Sequence, residues 1–292
     1  MTLEQLRIFL AVAERQHVTR ASEALNLTQS AVSSAISALE ARHDVKLFDR
    51  IGRRIVLTNA GRSFMSEAAA VLHRAEAAEL ALSDFSKHPS GHLRIYASQT
   101  VASYWLPSRL VALRARHPGI IPTLQVGNTA QVGDAVLEGA ADLGLIEGDV
   151  THQALRKQVI ARDNLILLMG ADHPWAARRE IPLSDYAKQS WILRETGSGT
   201  RSAFEAVLSA AGQDPAKLSV TLELPSNEAV LAAVTAGDCL SVLSHRAVDY
   251  ARAAGRIVTR DIPGGGRDFA ALTHPDRHRT RAVSALLAVI NS

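Results

Sequence analysis

Residues 28–40, TQSAVSSAISALE, have the composition of a helix apart from four serines. Serine is a mediocre helix former, because its hydroxyl competes for local backbone partners. Ser30, Ser33, Ser34 and Ser37 nevertheless fall at i, i+3, i+4 and i+7, and so share one stripe. Val32, Ala35, Ile36 and Leu39 form a second stripe with the same spacing. At about 100° per residue the two stripes lie roughly 160° apart. One side is made for burial. The other offers only small hydroxyls, with nothing bulky to hold a polar surface away.

Upstream, LEQLRIFLAVAERQH sets Leu3, Leu6, Phe9, Leu10 and Ala13 on one helical face. VTRASEALNL follows, with Thr19 as the expected N-cap and Ala21, Ala24 and Leu25 expected to face inward. NLTQ then turns the chain, and Thr28 caps the serine-striped helix. Two short helices joined by a four-residue turn fit helix-turn-helix geometry, whose second helix enters the DNA major groove. Thr28, Gln29, Ser30, Ser33, Ser34 and Ser37 are therefore expected to bond phosphates and base edges. Downstream, KLFDRIGRRIVLTNAG alternates about Gly52 and reads as a β-hairpin wing. Between Lys46 and Arg62, five basic residues stand against Asp49 alone. Arg50, Arg53 and Arg54 suit phosphate or minor-groove contact. A surface hairpin can carry arginines for solvation alone, but the adjoining helix pair favours nucleic acid.

From Asn59 to about Ser86 there is no proline, and no glycine after Gly61. Phe64, Ala68, Val71, Ala75, Ala78, Leu82 and Phe85 recur at steps of four and three, the heptad period of a coiled coil. A helix-turn-helix works as a symmetric pair on two half-sites, so this stripe is expected to be a dimer seam. The competing reading packs the helix on its own domain. SKHPSG, residues 86–91, then breaks the helix and reads as a hinge.

The chain from FLAVAERQHVTRASEALNLTQSAVSSAISALE to VLTNAGRSF closely resembles the N-terminal domain of LysR-type transcriptional regulators. The match runs for about sixty residues with the spacing kept throughout. One departure is RHDVKLF, where the family usually has Leu-Gly before the wing; His43 and Asp44 are expected to alter the turn there. The resemblance implies a winged helix-turn-helix domain over 1–60 and a linker helix over 61–88. It also implies an α/β effector domain over 91–292, built like periplasmic solute-binding proteins. Subdomain I would cover about 91–162 and 266–292, and subdomain II about 163–265. Family members usually assemble as tetramers, and RNA polymerase is a further candidate partner.

The residues beyond 91 carry their own signal. HLRIYAS, PTLQVGN, ADLGLIEG, NLILLMG, SWILRE, LSVTLEL, DCLSVLS and DFAALTH read as short strands, alternating with helical segments. That pattern predicts α/β layers with largely parallel sheets. Ligands in such sheets bind beyond strand C-termini. Strand ends place Ser98, Gln99 and Thr100, then Asn128 and Thr129, then Glu147, at one rim. TGSGTR adds Thr196, Gly197, Ser198, Gly199, Thr200 and Arg201 at a helix start, with free N–H donors and a positive dipole end. Arg201 adds charge if it turns inward. Ser226 and Asn227 open another helix. Ordinary N-capping explains any one of these positions; their convergence suggests an anion site. Glu147 reads equally as a solvated strand-end charge or, if buried in the cleft, as a group that bonds a protonated ligand or holds a lid. RETGSGTR and LIEGD resemble the branch with sulfite-responsive and carbon-fixation operon regulators. That resemblance implies a small inorganic anion or a compact carboxylate or phosphate as effector.

Composition bounds the rest. The 292 residues are 47% hydrophobic and 21% charged, enough for two or three packed domains. Net charge is +3 with a pI near 9.2, so the placement of charge says more than its sum. Cys239 is the one cysteine, which excludes a disulfide framework within the chain, and its apolar setting argues for a buried small side chain. No Cys/His cluster has zinc spacing, and no cofactor or metal is expected. His17, His43, His152 and His245 read as surface or capping residues. No apolar run is long enough to span a membrane and no export signal is evident, so a cytoplasmic setting is expected. The sequence thus predicts a regulator binding double-stranded operator DNA under control of a small anionic effector. Two rivals are an enzyme in the α/β part and a transport-type binding protein. The enzyme lacks G-x-S-x-G, a phosphate loop and H-E-x-x-H; the missing export signal and the DNA-binding head oppose the transporter.

Overall fold

The computed structural model describes residues 1–51, 54–83, 89–149 and 154–292. Of the residues singled out above, Gly52, Arg53, Phe85, residues 86–88 of the expected hinge and His152 lie outside the described residues, as do the side chains of Arg50, Arg54 and Leu82.

The N-terminal unit begins with α1 (Leu3–Arg15), where Thr2 and Gln5 form a reciprocal capping box. Next come α2 (Val18–Leu25) and α3 (Gln29–His43). Thr28 caps α3 as expected, its hydroxyl accepting from the Ala31 N–H at 3.2 Å. The cap of α2 is His17 rather than Thr19; Nδ1 of His17 accepts from the Arg20 N–H at 3.4 Å. Ala24 is exposed, so the inward face of α2 is narrower than its pattern suggests. Leu6, Phe9, Val12, Ala21, Val32, Ile36 and Leu39 make one core, while Leu3 stays exposed at the helix start.

Strands β1 (Phe48–Ile51) and β2 (Arg54–Leu57) pair antiparallel as the wing. Its base is fixed by Glu40, a buried carboxylate on α3. Oε1 of Glu40 accepts the Leu47 and Phe48 N–H groups at 2.8 and 3.2 Å, and Oε2 accepts Lys46 Nζ at 2.8 Å. Burial alone would raise the pKa of Glu40, but these donors bring it below the ordinary carboxylate value. Asp44 ends α3 in the left-handed region at φ 50°, so the altered turn before the wing is met by a residue that tolerates it.

Helix α4 (Asn59–Ser83) follows. Gly61 allows its first turn to approach the wing: a Cβ there would sit 2.1 Å from the Leu47 carbonyl oxygen. Phe64, Ala68 and Leu72 pack into the head core, with the Phe9 and Phe64 rings 5.0 Å apart. The heptad stripe therefore divides. Its first two positions, Phe64 and Ala68, serve the helix's own domain, against the dimer-seam expectation for them. Val71 and Ala78 are exposed and Ala75 is half-buried.

The C-terminal unit is a mixed sheet layered with helices. In chain order it runs β3 (Gly91–Ser98), α5 (Gln99–Tyr104), α6 (Pro107–Arg116), β4 (Ile120–Gly127), α7 (Thr129–Glu138) and β5 (Leu143–Glu147). The long β6 (Arg156–Gly170) leads to β7 (Ser190–Arg194), α8 (Gly199–Ala210), β8 (Ser219–Leu224), α9 (Asn227–Ala236), β9 (Ser241–Ser244) and α10 (His245–Ala253). The 17-residue β10 (Ile257–Thr273) and α11 (Arg281–Ile290) complete it. Strand order is β4-β3-β5-β10-β6-β9, and Trp191 bridges Leu240 to bring the β7–β8 pair alongside β9. The β3–β4, β3–β5 and β7–β8 pairs are parallel. Strand β10 pairs antiparallel with β5 and β6, as β6 does with β9. The expected largely parallel sheet is thus mixed, because β6 and β10 cross the whole layer.

A register break between Asp261 and Gly266 divides the sheet into two halves. The first half packs Leu93, Ile95, Leu113, Leu143 and Phe269 against α11. The second packs Leu167, Met169, Trp191, Phe204 and Leu208, with Ile166, Leu168, Val230 and Val248 on its other face. Each half sends strand C-termini and helix N-termini towards the other.

Candidate nucleic-acid interface and effector cleft

On the head, the serine stripe lies where its spacing puts it. Ser30, Ser34 and Ser37 are exposed and Ser33 is half-buried, while Val32, Ile36 and Leu39 are at most 7% exposed. Thr28 and Gln29 are exposed too, and the Thr28 and Ser30 hydroxyls are 3.1 Å apart. The α3 surface is a shallow hydroxyl strip beside a basic hairpin. It can approach a polar, anionic surface closely without burying a large side chain.

In the C-terminal unit, most of the expected rim residues meet. Ser98, Thr100, Thr129, Glu147, Ser198, Thr200 and Asn227 are all at most 2% exposed. The Ser98 hydroxyl donates to the Glu147 carboxylate, and the Thr129 hydroxyl donates to the Glu147 carbonyl at 3.0 Å. Gly199, from the second half, lies against that same carbonyl: a Cβ at 199 would be 2.1 Å from it and 2.4 Å from Thr129 Oγ1. Gly197, at φ 91°, meets the Asn128 side chain, and its carbonyl accepts the Ala130 N–H at 3.3 Å. The Asn227 N–H donates to Gln99 Oε1 at 2.7 Å, and its amide donates to Thr100 Oγ1 at 3.3 Å. Ser198 stands at the N-cap of α8 without capping it, and its buried hydroxyl has no hydrogen-bond partner.

Three expected positions fall elsewhere. Thr196 is exposed, and its N–H faces Glu223 Oε1 at 3.4 Å. Arg201 turns outward to Glu205 at 2.8 Å and to Glu223; burial lowers its pKa, but these two carboxylates more than offset that and raise it. Ser226 caps α9 through the Ala229 N–H at 3.0 Å. Local pairing satisfies all three, so none is left for the cleft.

The cation near the α8 N-terminus comes instead from β10. Arg267 donates to Thr200 Oγ1 at 3.0 Å and to Asp163 Oδ2 at 2.8 Å. Asp163 is fully buried on β6; it also accepts from the Ser244 hydroxyl at 2.7 Å and has His245 Nδ1 at 3.2 Å. Arg194, buried at the end of β7, donates to Asn227 Oδ1 at 2.7 Å and pairs with Glu195. Sequence reading missed these three. The available signal was a charge inside or closing an otherwise apolar strand. Among the described residues no group of three or more His, Cys, Asp or Glu side chains could hold a metal ion. Cys239 is half-buried against the Ile166 cluster.

Residues 3–62 match the model of the bacterial regulatory helix-turn-helix proteins of the lysR family, and residues 86–292 match that of the LysR substrate binding domain. The chain belongs to the LysR family of transcriptional regulators. It is 34% identical over 289 residues to the HTH-type transcriptional regulator YeiE of Escherichia coli K12, covering 98% of this chain and 96% of that one. It is 33% identical over 264 residues to the RuBisCO operon transcriptional regulator of Allochromatium vinosum, covering 90% and 86%. A full-length OxyR variant from Pseudomonas aeruginosa superposes with a TM-score of 0.74 at 26% identity, covering 99% of this chain and 94% of that one. The carbon-fixation side of the expected branch is thus represented among the relatives, and both sequence relatives are transcriptional regulators by name. This LysR-family chain is accordingly a DNA-binding regulator with an effector-binding domain, and the relatives lend no support to the enzyme reading. No helix among the described residues is long and apolar enough to cross a membrane.

Proposed function

We propose that this LysR-family chain reads a pseudo-palindromic operator through α3 and its wing, and that a small anion in the cleft between the sheet halves sets its affinity. The DNA side rests on the strip of exposed Thr28, Gln29, Ser30, Ser34 and Ser37 with half-buried Ser33, and it assigns Arg50, Arg53 and Arg54 of the wing to phosphates. The effector side is carried by one observation: the buried, unpartnered Ser198 hydroxyl at the start of the 12-residue α8, one turn from the Arg267 guanidinium on Thr200. A helix N-terminus favours negative charge, and the Arg267 guanidinium, already paired with Asp163, orders Thr200 beside it. Glu147 is buried, and the Ser98 bond gives it a structural role, tying β3 to β5 beneath the cleft. The effector class is a small inorganic anion, or a compact carboxylate or phosphate.

Domain limits of 1–60, 61–88 and 91–292 fit this scheme, as does a cytoplasmic setting. Self-association is supported by apolar groups at both edges of the sheet. Val111 is 72% exposed beside Ile121 and Val126 of β4, and Val220 and Leu222 are exposed on β8. Edge strands of this kind are covered in stable proteins, and a second copy in antiparallel orientation covers both at once. Two such dimers make the tetramer.

The test uses the full chain. Ser34→Glu is expected to abolish specific operator binding in gel-shift titration without changing the circular dichroism spectrum. Ser198→Ala is expected to weaken calorimetric binding of the best ligand among sulfite, sulfate, phosphate and short organic carboxylates and phosphates by about tenfold, the worth of one charge-assisted hydrogen bond. Unchanged operator affinity removes α3 from the groove. Equal anion affinity in the Ser198 variant removes the α8 site.

A further inference from the structure

The rim of the cleft formed by α5 and α9 is bridged chiefly through side chains. Glu228, in the first turn of α9, accepts the Gln99 amide on one carboxylate oxygen at 2.5 Å and the Tyr104 hydroxyl on the other at 2.9 Å. Both donors belong to the first half of the sheet and the acceptor to the second. The Tyr104 ring crosses as well, packing against the cluster of Ile166, Leu168, Val230 and Val248. Gln99 is used at both ends, since its carbonyl takes the Asn227 N–H. On the α7–α8 rim a backbone hydrogen bond crosses, from the Ala130 N–H to the Gly197 carbonyl.

We propose that Gln99, Tyr104 and Glu228 are positioning residues that latch α5 to α9 and fix how closed the cleft stands before any ligand enters. The two carboxylate oxygens are each satisfied by a different residue of α5, so opening the rim breaks both bonds together. Burial, and then the bond to Glu228, raise the pKa of the Tyr104 phenol, so it keeps its proton as a donor across the ordinary pH range. Glu228 also suits the dipole at the start of α9. A role limited to that dipole leaves the spacing between α5 and α9 unchanged when the carboxylate is removed, and this separates the two explanations. The importance of the latch for regulation rests on the effector reading above. Its existence does not.

The experiment reads distance in the ligand-free full chain. Ser108→Cys on α6 and Ser209→Cys on α8, both exposed, carry nitroxide labels in a Cys239→Ala background diluted with unlabelled chain. Double electron–electron resonance is expected to give one narrow distribution in this parent. Tyr104→Phe and Glu228→Ala are each expected to move population to longer distances, and Glu228→Gln is expected to fall between them and the parent. Amide exchange over residues 99–101 and 227–230 is expected to quicken roughly fivefold in Glu228→Ala. Glu228 is exposed, so its variants keep the test in force if Tyr104→Phe impairs folding. Distributions and exchange rates identical to the parent in the Glu228 variants overturn the latch. Longer distances with no anion bound by the parent uphold the latch and refute the effector reading. Parent-like distances in a chain that does bind an anion do the reverse.

Discussion

Single residues decide whether the head holds its wing. Glu40 does so by collecting two backbone N–H groups and one ammonium at the end of α3. Lys46 and the two backbone donors together hold the carboxylate in its charged form. The pKa of Glu40 is lowered on folding, so the stability it supplies is present above its ordinary value of about 4.5 and is lost as pH falls below it. Glu40→Gln is expected to cost about 1–2 kcal/mol in urea unfolding at pH 7. The gap to wild type should close between pH 5 and pH 3; a gap independent of pH contradicts the charge-based account. Residue-scale legibility followed chain distance. Thr28 was readable because its partner is three residues away. Arg267 was not, because Asp163 lies more than a hundred positions back and meets it only once β6 and β10 pair. His17 reads as a surface or capping residue, yet the sequence pattern assigns the cap of α2 to Thr19, because histidine is a rare cap, although its ring nitrogen accepts as a serine oxygen does.

At the scale of elements, α4 shows what a periodic stripe can and cannot tell. The heptad spacing is real, yet Phe64 and Ala68 are consumed by the head core, and Leu72, outside the stripe, joins them. Among the described stripe positions beyond these, Val71 and Ala78 are exposed and Ala75 is half-buried. Val71→Glu is expected to weaken self-association roughly tenfold, as burying one valine side chain suggests, with head stability unchanged. Sedimentation velocity across a concentration series measures it, and an unaltered association constant removes Val71 from the seam. The serine helix and the short strands β3, β5, β7 and β9 were legible because each keeps one period throughout. Strand β6 was read only from Asn164 onward, because residues 156–162 are exposed or half-buried and carry no alternation to betray them. Helices α5 and α10 were missed, the first only six residues long and the second polar over most of its surface.

Across the whole C-terminal unit, two long antiparallel strands carry the chain between the sheet halves, and Asp163 stands at their crossing. Its carboxylate holds Arg267 on one oxygen and Ser244, His245 and, at 3.6 Å, Arg246 on the other. Asp163→Asn leaves the buried Arg267 guanidinium without a counter-charge, and removing one partner of a buried pair costs about 3–5 kcal/mol. Urea unfolding of the full chain is expected to show a loss of about 3 kcal/mol in the transition of this unit. A loss under about 1 kcal/mol would mean that Arg267 finds water instead. The two-half architecture followed from family resemblance, since strand periodicity alone places no crossover. The charged crossing was invisible to both.

Gly199 narrows the routes by which such a chain can acquire a new signal. Every other amino acid puts a carbon where the Glu147 carbonyl already stands. A side chain at that position therefore requires the Glu147 carbonyl and the Thr129 hydroxyl to move. If the proposed effector site is the working one, a change of ligand is expected to come from the hydroxyls around the glycine and not from position 199 itself.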